Sequence, residues 1–123
     1  MLRATRGRAS HARGVHAETA ASAALVREGW TILGRRLRTE AGEIDLIAER
    51  NGVCAFVEVK ARATLADAAI AVTPRQQARL LAAAEILLAE HPEWASEGTR
   101  FDLIVVDADG RLRRVTDAFR IEG

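Results

Sequence analysis

Asp45 and Glu58 lie on either side of Asn51-Gly52, and Lys60 follows Glu58 by two residues. Asn-Gly between two strand-like runs, Glu43 to Arg50 and Val53 to Lys60, is a strong hairpin signal, because a type I′ turn needs positive φ at both central residues. If the turn has two residues, Arg50 pairs with Val53, and Ile47 then faces Phe56, Asp45 faces Glu58 and Glu43 faces Lys60. Like charges directly opposite one another destabilise a sheet. At about 5 Å, one carboxyl should keep its proton unless a cation lies between them. Three arrangements would relieve the pair: a proton shared as in an acid dyad, neutralisation by Lys60, or a bridging divalent metal. Hard oxygen ligands without His or Cys nearby favour Mg²⁺, with Mn²⁺ as second choice, over zinc. The bland alternative is an edge strand that turns both acids to water; apolar Ile47 and Phe56 beside them weigh against it.

Lys60 stands out by composition as well. The chain has 18 basic side chains, and every one except Lys60 is arginine. Arginine stays protonated, whereas lysine is a compact point charge whose pKa moves on burial. A lone lysine beside an acid in an apolar strand suggests chemistry that a guanidinium cannot perform, although a pairing with Glu43 would make it an ordinary ion-pair partner.

These side chains need a framework. A length of 123 residues suggests one domain, and 49% hydrophobic residues suffice for a core. A helix is expected over 11–28, with Ala17, Ala20, Ala21, Ala24 and Leu25 at helical spacing and Gly29 as its stop. A strand follows from Trp30 to Arg38, broken by Gly42, and then the hairpin. Its second face, Ile44, Leu46 and Ala48 against Ala55, Val57 and Val59, is wholly apolar and should be core. Residues 61–72 are Ala-rich and ambiguous. Thr73-Pro74 opens a second helix, and His91-Pro92 closes it. Phe101 to Val106 reads as a strand, which Asp109-Gly110 turns into a last one near Leu112 to Val115.

Net charge is only +1, but residues 1–38 carry +6 and residues 39–123 carry −5. A basic front end on a more acidic body suggests an anionic partner; the alternative is a solvated charge cluster. Residues 1–13 hold Arg3, Arg6, Arg8 and Arg13 with no acid, and read as a disordered basic arm ahead of a single domain over 14–123. The same composition describes organellar transit peptides, which an Ala- and Arg-rich chain imitates without being one. No apolar run approaches the roughly 18 residues of a membrane span. The single Cys54 rules out an internal disulfide and suits a reducing, cytoplasmic setting.

Glu18 is a candidate third ligand, since it shares a helix face with Ala21 and Leu25; a helix glutamate is otherwise a surface residue. Gln76 and Gln77 sit in the first turn of the second helix, where a phosphate could rest with a glutamine as extra donor, or where they are simply a polar first turn. His11, His16 and His91 lack metal-ligand spacing, Cys54 has no obvious base, Ser10, Ser22 and Ser96 fit no nucleophile motif, and no Gly-rich phosphate loop is present. Asp102 opens the late strand and suits a structural or supporting role.

The segment Gly42-Glu43-Ile44-Asp45-Leu46-Ile47-Ala48, followed by Phe56-Val57-Glu58-Val59-Lys60-Ala61-Arg62, resembles the bacterial YraN family. That family is grouped with the PD-(D/E)xK restriction-endonuclease-like proteins, near archaeal Holliday-junction resolvases. The similarity runs from about residue 14 to residue 107 and includes Ala17-Glu18, Gly29-Trp30-x-Ile32-Leu33 and Arg100-Phe101-Asp102. Where the family usually has an asparagine near 35 or 36, this chain has Arg35 and Arg36. A Phe-Gly step common after Arg62 is replaced by the Ala-rich stretch, and a lysine is usual near Arg75.

The resemblance implies a mixed α/β fold with a central β-hairpin flanked by helices. It implies Asp45 and Glu58 as metal ligands, Lys60 as catalytic lysine, Glu18 as the helix glutamate, and Gln76 or Gln77 as the polar residue after the lysine strand. The expected function is metal-dependent hydrolysis of a DNA phosphodiester, by in-line attack of an activated water, with Mg²⁺ or Mn²⁺ as cofactor. Arg13, Arg35, Arg36, Arg38 and Arg62 would contact backbone phosphates. A branched substrate follows only by analogy, and cutting both strands would call for a homodimer. The alternatives are a non-catalytic nucleic-acid-binding or adaptor module that keeps the fold, and an acid-dyad hydrolase on Asp45 and Glu58.

Overall fold

The computed structural model describes residues 16–66 and 72–119. The expected basic arm, Arg13 and part of the Ala-rich stretch lie outside the described residues. Helix α1 covers 16–27. Strands β1 (Thr31–Thr39), β2 (Gly42–Arg50) and β3 (Val53–Ala61) form a meander, followed by helix α2 (Pro74–Glu90), a short 3₁₀ turn (Pro92–Ala95), and strands β4 (Gly98–Val106) and β5 (Leu112–Phe119). The five strands lie side by side in chain order. β4 runs parallel to β3, and the other pairings are antiparallel. A parallel neighbour cannot be reached by a tight turn, and the crossover carries α2.

The local signals act as expected. Asn51 and Gly52 have φ of 54° and 82°, the left-handed pair a type I′ turn requires. The register runs from Arg50 opposite Val53 to Leu46 opposite Val57. Thr73 caps α2: its side chain accepts from the Gln76 N–H, and the Gln76 side chain accepts from the Thr73 N–H, a reciprocal box that satisfies two otherwise orphaned donors.

The sheet is covered on both faces. Ala17, Ala21 and Leu25 of α1 pack with Leu46, Ala48, Ala55, Val57, Ile104 and Val106. Leu80, Ala83, Ala84 and Leu87 of α2 pack with Ile44, Ile47, Phe56, Phe101, Leu103 and Val105. Small alanines let each helix sit close to branched strand residues. One expectation fails here. Ile44 belongs to the α2-side core with Ile47, not to the α1 side with Leu46 and Ala48. Strict alternation along β2 stops at Asp45, where the recorded β2–β3 pairing also ends.

In the middle of β4, level with Val57, buried Asp102 ties several elements together. It accepts from Arg100 at 2.9 and 2.8 Å, from Arg114 at 3.2 and 2.9 Å, and from the Asp117 N–H at 2.9 Å. The guanidiniums of Arg50, Arg100 and Arg114 lie 4.7, 4.9 and 5.4 Å from the ring centre of buried Trp30, within cation–π range. Arg114 also pairs with Glu28.

Candidate active site

The open end of the hairpin, away from the Asn51-Gly52 turn, is where the charged residues collect. Continuing the ladder beyond Leu46–Val57 would pair Val59 with Ile44. Instead the Val59 N–H donates to Asp45 Oδ2 at 2.8 Å. A side chain thus replaces a backbone carbonyl, and β2 parts from β3 around the Asp45 carboxylate.

Burial pushes the Asp45 carboxyl up to about 7, and the negative charge of Glu58 adds to the rise. The Val59 N–H opposes it, Glu18 adds a little, and Lys60 takes a little back. Glu18 on α1, Asp45 on β2 and Glu58 and Lys60 on β3 therefore act on one another within one small region. Three of the acids there have a cation. Lys60 Nζ is 3.1 Å from Glu58 Oε1. Arg36 Nε is 2.5 Å from Glu18 Oε2. Arg38 Nη2 is 3.7 Å from Glu43 Oε2. The expected Glu43–Lys60 pairing is replaced by these contacts, because β2 and β3 have separated by that level. Asp45 is held by a backbone N–H.

Among the described residues, no three His, Cys, Asp or Glu side chains converge closely enough to enclose a metal ion. The donor chemistry nonetheless suits Mg²⁺ or Mn²⁺. Mg²⁺ keeps several waters and takes only one or two protein carboxylates, and Asp45 is a half-buried carboxylate that feels the negative charge of Glu58. These two residues would hold the ion.

The other expected site residues have definite places. Gln76 is spent on the α2 cap, and Gln77 Nε2 donates to the Val72 carbonyl at 2.9 Å. Both close the helix start. Arg35 is exposed on β1, and Arg38 is 85% exposed. Arg62 is half-buried, with Nη1 donating to the Ala61 carbonyl at 2.8 Å. One neighbour escaped the sequence-based expectation. The stem of exposed Arg79, on α2, lies over Gly42, where an added Cβ would come within 2.8 Å of Arg79 Cγ. Glycine at the head of the Gly42–Ala48 motif was the available signal, since glycine marks close approach. A cavity of about 490 Å³ bounded by Val53, Thr99, Arg100 and Asp117 lies at the opposite end of the sheet and takes no part in this cluster.

A five-stranded mixed sheet with a helix on each face, opened at one end around an Asp…Glu-x-Lys hairpin, is a restriction-endonuclease-like α/β fold. Residues 17–106 match the family described as "Uncharacterised protein family UPF0102", and the chain belongs to that family, the one its strand motifs resemble under the name YraN. A UPF0102 protein of Granulibacter bethesdensis is 60% identical over 109 residues, covering 89% of this chain and 69% of the relative. One from Azorhizobium caulinodans is 48% identical over 118 residues, covering 96% and 90%. One from Rhodopseudomonas palustris is 51% identical over 106 residues, covering 86% and 82%.

Proposed function

We propose that this protein is a metal-dependent endonuclease, resolvase-like in architecture, that hydrolyses DNA phosphodiester bonds. The observation that carries this is Asp45, a half-buried carboxylate whose Oδ2 is fixed by the Val59 N–H at 2.8 Å and whose carboxyl is pushed up by burial and by the charge of Glu58. When bound, Mg²⁺ or Mn²⁺ would polarise a phosphoryl oxygen and lower the pKa of a water. Asp45 and Glu58 would hold the ion. Val59 fixes the Asp45 carboxylate through its N–H. Lys60, restrained by Glu58 at 3.1 Å, orients the attacking water and offsets charge building on the phosphoryl group. Arg35, Arg36, Arg38 and Arg62, with Arg13 ahead of the domain, supply phosphate contacts that are sequence-tolerant and salt-dependent. A second copy is needed for cleavage of both strands, and a reducing cytoplasmic setting suits buried Cys54.

A second assignment has its own support. Glu18, Glu43 and Glu58 each have a cation supplied by the chain itself, which suits a non-catalytic module that binds nucleic acid through the same face. One assay separates the two. Purified protein is incubated with Mg²⁺ or Mn²⁺ and a panel of linear, flapped and four-way DNA. Cleavage that disappears in Asp45→Ala supports the nuclease. A wild type that binds but cuts nothing, or an Asp45→Ala variant that cuts equally well, supports the binding module.

A further inference from the structure

Arg36 adopts a backbone conformation that a strand does not need. Its φ is 49°, in the left-handed region that long L side chains rarely occupy. Its neighbours nevertheless pair regularly, Arg35 with Leu46 and Leu37 with Ile44. The β2 residue level with Arg36 is therefore Asp45. Backbone strain of this kind persists where surrounding contacts over-determine it, and the contact here is Glu18. Arg36 Nε donates to Glu18 Oε2 at 2.5 Å, with the carboxylate 19% and the guanidinium side chain 38% exposed. Glu18 is thus the inner member of the pair and Arg36 the outer one. The same guanidinium lies within electrostatic reach of Glu43 and Asp45.

We infer that Glu18 anchors Arg36 instead of binding the metal, and that Arg36 is the cation that meets the substrate phosphate beside Asp45 and Glu58. This rests on the nucleic-acid reading given above. The Glu18–Arg36 contact at 2.5 Å is closer than the Lys60–Glu58 contact at 3.1 Å, so of the two carboxylates Glu18 is the more tightly committed to a cation of the chain. The bond uses Nε, and a guanidinium carries four further N–H donors on its two Nη atoms, in a fork that matches phosphate oxygens. Lys60 is engaged by Glu58 on the far side of Asp45, so a phosphate bound here is flanked by a different cation from each strand. Glu18 is then a positioning residue, and Arg36 the contact.

Two measurements test this on the full chain. The first is Mn²⁺ calorimetry. Glu18→Gln keeps its affinity within about two-fold of wild type, whereas Asp45→Asn loses at least about ten-fold. Loss in Glu18→Gln as severe as in Asp45→Asn would make Glu18 a ligand and overturn the inference. The second is binding of a short DNA duplex in EDTA, where no metal contributes. Arg36→Asn, in which asparagine suits the left-handed backbone, melts close to wild type but binds the duplex several-fold more weakly, and its salt slope falls by about one. Arg113→Asn, the same charge change on exposed β5, has a smaller effect. The effect of Glu18→Gln on duplex affinity vanishes in an Arg36→Asn background. Equal binding by Arg36→Asn and Arg113→Asn overturns the inference. A wild type that takes up no Mn²⁺, while Arg36→Asn still loses affinity, removes the metal assignment and supports Arg36 as the phosphate contact.

Discussion

The Val59 N–H donates to Asp45 Oδ2 at 2.8 Å, in the position where the hairpin ladder would have used the Ile44 carbonyl. A strand pair thereby ends on a side chain, and the carboxylate that ends it sits beside Glu58. This one bond links the folding of the hairpin to the chemistry of its open end.

Asp45 makes metal-free stability depend on pH. Its folded pKa of about 7 lies above its ordinary value of 3.8, so the folded state holds this proton more tightly than the unfolded chain. The contribution of the protonated form is fully present below about pH 4 and is lost as pH rises through about 7. Three units correspond to at most roughly 4 kcal/mol. Asp45→Asn should flatten this slope and melt above wild type at pH 8 in EDTA. Identical pH–melting curves for the two proteins would contradict the burial of this charge.

Divalent metal should act in the opposite direction to EDTA. At about 100 times its dissociation constant, Mn²⁺ should stabilise wild type by about 2.7 kcal/mol through mass action. The rise should be greatest above pH 7, where Asp45 has lost its proton. Glu58→Ala should abolish it. A Mn²⁺-induced melting shift retained in Glu58→Ala would place the ion elsewhere.

Lys60→Arg keeps the charge but spreads it over a planar fork. Cleavage should fall by about 10²-fold, with duplex affinity in EDTA nearly unchanged. Normal cleavage by this variant would mean that the lone lysine serves only to pair with Glu58.

Asp102 predicts a purely structural effect. Its carboxylate is fully buried between Arg100 and Arg114, and removing one partner of a buried ion pair costs about 3–5 kcal/mol. Asp102→Ala should lower the unfolding free energy from denaturant melts by that amount and leave Mn²⁺ affinity alone. A change in Mn²⁺ affinity at constant stability would tie this ion cluster to the site.

Cys54 should be inert in the native protein. Burial, helped by Glu49, pushes its thiol up to about 12, so little thiolate is present near neutral pH. A disulfide reagent should label it only on unfolding.

Much of this was legible along the chain because it rests on local rules. Asn51-Gly52 needs no distant partner to set a two-residue turn, and the turn sets the register as far as Leu46 and Val57. Thr73, Pro74 and Gln76 start α2 through bonds made within one helical turn. The turn carries Asp45 and Glu58 to the same open end of the hairpin, but the paired register stops one step short of them. Tertiary packing decided the rest. The hairpin register assigns Lys60 to Glu43, but the strands part at Asp45, and Lys60 turns to Glu58 while Arg38 takes Glu43. Glu18 and Arg36 are 18 positions apart, and only the docking of α1 on the sheet brings them into contact. Residue types and turn chemistry determined which groups gather along the hairpin; long-range packing determined which cation each acid received, because ion pairing depends on distances that no local rule specifies.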